Sequence, residues 1–415
     1  MAPTRPHNKK ARSRQKNRGG AAADNANNAR RAKQLLAEAT ALLEQGDVTS
    51  ALRAAKDAVD AAPERLEAEA RTLLGEVLLE VGDGDAARTQ LLQAAEVDVE
   101  EDAGEWWDAL IQGGGGAGAT GGVNLGARAE KYLWLAQLSE DGGADSVRWL
   151  ERGAGVLRAA LARLEERNGR AATGLTDRQR TLVDEARRDL NRRLSSALCA
   201  VAEVYMTDLS WEADAEQRCE SLITEATMLA PDLADAWQTV ANVRISQGKP
   251  DEARTALTRS MDPWWSGEDD AAVPPFPTRV SLVRLLLEVE WEDRAIEVTE
   301  RLIKEDDSSV EVLYLGGFGQ FLIGEKLKAS TADKDGAEDD WKTIWASARR
   351  WLKQCLTLFA AQEYEDDRLG QHAQELLGTL NKELGEAADE DDDDDDGWED
   401  DDDEEEEGDG DKVMG

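Results

Sequence analysis

Residues 219–253, CESLITEATMLAPDLADAWQTVANVRISQGKPDEA, decide the fold. Cys219 and Ala226 are small residues seven apart, Pro231 closes the segment, and Ala253 follows Cys219 by 34 residues with Trp237 sixteen positions before it. Small residues at a helical spacing let two helices of a hairpin approach closely, an aromatic on the first helix packs against the neighbouring hairpin, and a proline ends the second helix. The segment therefore predicts stacked helical hairpins with a period of 34 residues.

Working outward, Ala51, Ala58 and Pro63 repeat the same landmarks, with Gly46 at the turn between the two helices. The next unit has Gly75 at the close contact of its first helix and Ala87 and Ala94 in its second, with Val99 in place of the proline. Between Ala127 and Glu166 a degenerate unit places Tyr132, Leu135 and Ala136 in a first helix and Ser146 and Gly153 in a second. Thr176 to Met206 reads as one long helix running into the Cys219 unit. A further unit spans Pro277 to Asp307, with Ala295 after a turn at Trp291 to Asp293. A last first helix covers Val310 to Ile323 with Gly317 at the glycine position, and its partner is delayed to Asp339 to Ala360 by an inserted loop from Glu325 to Gly336. The register is that of a tetratricopeptide repeat, and the expected fold is an all-α superhelix (α-solenoid) of six or seven hairpins whose first helices line the concave binding face.

Composition agrees with an all-helical body. Ala, Leu, Glu and Arg dominate the middle of the chain, period-two runs of Val, Ile and Thr are almost absent, and 41% hydrophobic content with 13 Trp supplies a core between residues 30 and 384. No apolar stretch approaches bilayer-spanning length, and no apolar segment follows the basic N-terminal run, so a soluble intracellular protein is expected.

The two ends are oppositely charged. Residues 385–415 hold twenty Asp and Glu against one Lys, including the unbroken run Asp391 to Asp396, whereas residues 1–33 hold ten Lys and Arg against the single acid Asp24. With a net charge of −39 for the whole chain, the part between these ends still carries −29. Self-repelling charge runs cannot pack a core, so the expected organisation is a disordered basic arm over residues 1–29, the repeat body over 30–384 with loops near 113–122 and 325–338, and a disordered acidic tail over 385–415. Lys9, Lys10, Arg12, Arg14, Lys16 and Arg18 form a candidate nuclear-localisation run; an RNA-binding arm and a counterion strand for the acidic tail are the other readings of it.

Catalytic and metal chemistry has little to build on. Cys199, Cys219 and Cys355 form no CxxC pair and are expected to be small core residues, and the two histidines, His7 and His372, lie far apart in sequence. The run Gly113 to Gly122 lacks the GK[ST] ending of a phosphate loop. No enzyme activity, metal or cofactor is expected.

Groove-facing side chains in such arrays come from the second, fifth, ninth, twelfth and thirteenth positions of each unit. Applied here, that rule selects Glu69, Glu76 and Glu80; Asp208, Trp211 and Glu212; Asp235, Gln238 and Asn242; and Glu288, Glu311, Tyr314 and Phe318, with Lys33 and Arg284 as basic exceptions. The expected partner-binding face comprises Asp208, Glu212, Asp235, Asn242, Glu288 and Glu311, supported by Tyr314 and Phe318. Walls of one sign focus the field and attract a ligand of the opposite sign. Repeat proteins that grip an acidic chaperone C-terminus carry Lys and Asn where this chain has Leu36 and Thr40, which disfavours that use. The pairs Trp106 with Trp107 and Trp264 with Trp265 read as core, and Trp398 stands alone in the acidic tail.

A basic arm, an acidic tetratricopeptide superhelix and a polyacidic tail broken by a tryptophan together resemble the fungal dedicated assembly chaperones of large-subunit ribosomal protein L-four. The resemblance implies a concave face that embraces the long basic internal loop of a newly made ribosomal protein and shields it during transit from cytoplasm to nucleus and pre-ribosome; a monomeric, non-enzymatic holding chaperone that yields its client to the denser negative charge of rRNA is the expected mechanism. A nuclear import receptor would be a second partner, and neither nucleic acid nor membrane would be bound directly. A histone chaperone and a repeat scaffold for a protein complex are the alternatives. In histone chaperones of this fold the acidic stretch is expected to interrupt a repeat, whereas here it follows the repeats.

Overall fold

A computed structural model of the chain describes residues 9–97, 105–112, 127–171, 174–266, 273–331 and 340–385. These are helical throughout, with sixteen α-helices and no strand among the described residues. They fall into two compact units, one up to Thr278 and the other from Arg279.

The first unit holds α1 (Lys9–Glu44), α2 (Val48–Ala61), α3 (Glu64–Glu80), α4 (Gly84–Glu96), α5 (Glu105–Ile111), α6 (Ala127–Gln137), α7 (Gly143–Ala171), α8 (Asp177–Met206), α9 (Ala215–Leu229), α10 (Ala234–Ser246) and α11 (Pro250–Met261). They pair as hairpins: α1 with α2, α3 with α4, α6 with α7, α8 with α9, α10 with α11. First helices also touch first helices, α1 against α3, α3 against α6 and α8 against α10, and the Arg193–Glu130 ion pair links α8 to α6. The second unit holds α12 (Phe276–Glu288), whose first turn begins in the preceding unit, then α13 (Glu292–Glu305), α14 (Val310–Thr331), α15 (Asp340–Ala361) and α16 (Asp367–Leu384).

The small residues sit where the hairpins close. Ala51, Ala58, Ala87, Ala94, Ala226, Ala253 and Ala295 are all buried, as is Cys219. A Cβ added at Gly75 would stand 2.7 Å from Leu91 Cγ, and one at Gly317 2.8 Å from Leu352 Cγ. At these crossings a leucine of the partner helix fills the space that a side chain on the glycine would need. Trp237 donates its indole N–H to the Pro231 carbonyl at 2.8 Å and lies beneath the Arg259 guanidinium, which ties two landmarks of the deciding segment together.

Hairpin turns reuse one device. Gly46, Gly82 and Gly248 adopt φ of 76°, 84° and 69°, the left-handed conformation that ends a helix cheaply only for glycine. Asp47 and Asp83 follow as N-caps, accepting from Ser50 N at 3.0 Å and Ala86 N at 3.1 Å. Between α12 and α13 the same place is taken by Glu290 at φ 58°.

Trp106 and Trp107 are buried in a core shared with α7 and α8, and Trp264 is buried with its N–H on Ser260 O at 2.9 Å. The three cysteines are buried and unpaired. Burial pushes the Cys199 thiol up to about 12 and the Cys355 thiol to about 11, so both behave as small apolar groups.

Three expectations of organisation meet the structure differently. Residues 9–29 of the basic arm lie within α1, while 1–8, the glycine-rich 113–122 and 386–415 lie outside the described residues, as does Val99. The inserted loop does not begin at Glu325: α14 continues to Thr331, because Phe321, Leu322 and the close approach of Gly324 to Trp345 keep it packed on α15. Residues 332–338 of that loop lie outside the described residues. Finally, α16 adds a helix that closes the second unit.

Candidate binding face

The first-helix layer of the first unit collects carboxylates. Glu76 on α3 is half-buried, and its carboxyl is pushed above the usual range by that burial and then by the charges of Glu130 on α6 and Glu80 on its own helix. The Glu203 carboxyl on α8 is pushed up by burial; a hydrogen bond from Thr239 opposes this, and the charge of Asp235 on α10 reinforces it. The residue nevertheless remains exposed to solvent. Like charges gathered on one wall raise one another's pKa and weaken the fold, and a positive ligand would relieve both effects.

Two arginines of this layer are engaged in ion pairs. Arg193 bridges Glu130 and Asp189, each at 3.0 Å. Arg244 pairs with Glu220 and with Glu252, the latter at 2.9 Å, holding Glu220 below the usual carboxylate range. Lys33 is exposed on α1 beside a shallow hollow that it lines with Arg30 and Arg65.

Asp235 is half-buried on this layer and accepts from Thr278 Oγ1 at 2.9 Å, while Asn242 is exposed one helical face along on α10. Gln238 is not on the face: it is buried, with its amide on Ser260 Oγ at 3.3 Å inside the α10–α11 hairpin. Asp208, Trp211 and Glu212 also depart from the expected register. α8 ends at Met206 and α9 begins at Ala215, so the hairpin turn has eight residues, against three between α10 and α11. Counting back 34 residues from Asn242, Ile245 and Ser246 at the end of α10 therefore lands on Asp208, Trp211 and Glu212, in the turn instead of on a helix. There Asp208 accepts from Gly143 N at 2.9 Å and fastens the α8–α9 turn to the α6–α7 turn. Trp211 donates to Asp208 O at 2.9 Å with 74% of its surface exposed, and Glu212 is exposed.

The residues that the register missed are Glu130 and Glu203. Both lie on first helices, and Glu203 could have been found by phasing α8 on its own apolar positions, Leu194, Leu198, Val201 and Ala202, which are buried.

In the second unit Glu288 is the exposed last residue of α12, and Glu311 on α14 pairs with Arg284. Tyr314 and Phe318 stack with ring centres 6.1 Å apart and planes 9° apart. His372 of α16 stands edge-on to both, its Nδ1 2.7 Å from the Tyr314 hydroxyl. Burial pushes the Tyr314 phenol up. α16 thus covers part of the aromatic pair that the register placed in the groove. Lys9 to Arg18 lie in the backbone of α1, and their side chains are outside the described residues.

Residues 36–105 match the tetratricopeptide repeat family. A protein of Emericella nidulans named a probable assembly chaperone of rpl4 is 39% identical over 403 residues, spanning 94% of this chain and 92% of its own. A Schizosaccharomyces pombe protein with the same name is 29% identical over 344 residues, 82% of this chain and 88% of its own. The solved structure of residues 1–338 of Acl4, an assembly chaperone of RpL4, shares 51% identity and a TM-score of 0.59, over 72% of this chain and 99% of its own.

Proposed function

This chain belongs to the family of the assembly chaperones of Rpl4, and from that premise we propose that it receives a newly made, basic large-subunit ribosomal protein on the acidic layer of its first helices. It is a chaperone dedicated to a ribosomal protein, and its tetratricopeptide-repeat α-solenoid is the scaffold for that task. The single observation that carries the binding mode is that first helices bring carboxylates near one another, Glu203 near Asp235 and Glu76 near Glu130 and Glu80, where their charges add to burial in raising the Glu203 and Glu76 carboxyls. A fold gains nothing from such like-charge clusters unless something positive occupies them.

Client contacts on this reading are Glu76, Glu203, Asp235 and Asn242 in the first unit and Glu288 and Glu311 in the second. Tyr314 and Phe318 offer whatever ring surface α16 leaves open, and Glu212 adds an exposed charge at the α8–α9 corner. Binding is electrostatic and non-enzymatic: the client is held while its lysines and arginines would otherwise attract other polyanions, and rRNA displaces the chaperone because its phosphates are denser in charge. Lys9, Lys10, Arg12, Arg14, Lys16 and Arg18 serve as the import signal, so the complex passes from cytoplasm to nucleus.

The test is co-expression of the chaperone with its ribosomal protein, measuring how much client stays soluble and co-purifies one to one. Glu203→Lys combined with Asp235→Lys should reduce capture at least tenfold and flatten its salt dependence. Undiminished capture by a folded double variant would remove the first-helix layer from the binding mode.

A further inference from the structure

Within this strongly acidic chain, α15 is basic on one side. It carries Lys342, Arg349, Arg350 and Lys353 against the single acid Asp340. At 3.6 residues per turn these four cations fall within an arc of about 100°, on the side of the helix turned away from the buried Trp345, Ala348, Leu352 and Cys355. From Lys342 to Lys353 the stripe is about 16 Å long at the helical rise. Arg350 and Lys353 are exposed and have no acidic partner among the described residues. A basic client would be repelled here, so the face is not an extension of the binding layer.

Arg349 shows what the face is near. Its Nη1 donates to the carbonyl of Gly385 at 3.2 Å, so the stretch that follows α16 sets out from the edge of the stripe. After Gly385 come Glu386 and two alanines, then Asp389, Glu390 and the six aspartates Asp391 to Asp396. The four residues from Gly385 to Asp389 span up to roughly 13 Å and the eight-acid run up to roughly 26 Å, enough to reach the stripe and lie along it.

We propose that residues 389–396 dock on the Lys342–Arg349–Arg350–Lys353 face of α15, seating the acidic tail on its own chain. The contact is electrostatic, weakens as salt rises, and is independent of which client the first-helix layer takes. It gives the tail an intramolecular resting place from which a cationic partner would have to draw it.

Zero-length carbodiimide coupling of the full chain tests this, because it joins a lysine ammonium to a carboxylate only where they touch. In an equal mixture of isotopically light and heavy protein, links should concentrate between residues 389–396 and Lys342 or Lys353 within one copy. They should fall at least fivefold in 0.5 M salt or in the Arg349→Gln, Arg350→Gln variant, with unchanged circular dichroism. Links spread evenly over Lys249, Lys304 and Lys353, links to Lys9, Lys10 or Lys16, or links mainly between copies would each overturn the assignment. As a second variant, the full chain with residues 389–396 changed to Asn and Gln should gain affinity for heparin, and Arg350→Glu with Lys353→Glu should abolish that gain. Persistence of the gain would also overturn it.

Discussion

Thr239 of α10 divides its hydroxyl between Glu203 of α8 and its own helix: Oγ1 lies 3.4 Å from Glu203 Oε1 and 3.1 Å from the backbone carbonyl of Asp235. That divided donor only partly offsets the loss of water, and Glu203 keeps a carboxyl pushed up first by burial and further by the charge of Asp235. Because the folded carboxyl keeps its proton to a higher pH than the unfolded one, the folded chain binds more protons between the ordinary glutamate value and the raised one. Stability therefore falls as pH rises through that window, and the cost is fully present above it.

Glu203→Gln should consequently stabilise the free protein at neutral pH, by roughly 0.2–1 kcal/mol because the carboxyl remains solvent-accessible. The same variant should hold less ribosomal protein. Chemical denaturation at pH 7 and at pH 5 checks the first part, since the gain must shrink at the lower pH.

Glu290 occupies at φ 58° the turn position that Gly46, Gly82 and Gly248 fill elsewhere. Its carboxylate is 3.6 Å from Lys326 Nζ, but Glu292 already holds that ammonium at 2.8 Å. Glu290→Gly should therefore raise stability by about 1 kcal/mol. A lower melting midpoint would mean that the Lys326 contact outweighs the backbone strain.

Helical glycines should divide into two groups by what surrounds them. A Cβ at Gly324 would stand 2.2 Å from the Trp345 ring and one at Gly316 2.1 Å from the Trp351 ring, so alanine at either should cost about 1–3 kcal/mol. Gly155 and Gly378 have nothing within 4 Å of the same position, and alanine there should stabilise by about 0.5–1 kcal/mol. Urea melts of the four single variants decide it.

Asp208 fastens the α8–α9 turn through Gly143 N. Asp208→Ala should cost about 0.5–1.5 kcal/mol while leaving client capture at neutral pH nearly intact. Asp208→Asn, which keeps an acceptor oxygen, should recover most of the stability. A capture defect in both folded variants would return Asp208 to the binding face.

Tyr314, Phe318 and His372 pack α14 on α16, so Tyr314→Ala should loosen α16 at a cost of roughly 2 kcal/mol. Hydrogen exchange should show faster amides across α16 before any change in α10. Unchanged protection of α16 would show that the ring contributes little to its docking.

Much of the fold was legible because its landmarks are local. Cys219, Ala226, Pro231, Trp237 and Ala253 needed no partner beyond one hairpin to declare their positions, and the glycines at 75 and 317 marked helix crossings that leave no room for a side chain. The acid-rich character of the first helices could also be read directly. Register failed where an insertion intervened: eight turn residues after α8 moved Asp208, Trp211 and Glu212 off the helix face and brought Glu203 into the place opposite Asp235. Nor did counting reveal that α16 would lie over Tyr314 and Phe318, because that depends on packing between helices distant in the chain.

The sequence alone determined a stack of helical hairpins, its charge and the opposite signs of its two ends, since these follow from residue size, spacing and ionisation. Only the tertiary structure decided which carboxylates crowd together, which are used up in turns, and which cations on α15 stand without an acid beside them. Those are questions of distance between residues far apart along the chain. A pattern with a fixed period cannot answer them once one turn is longer than the next.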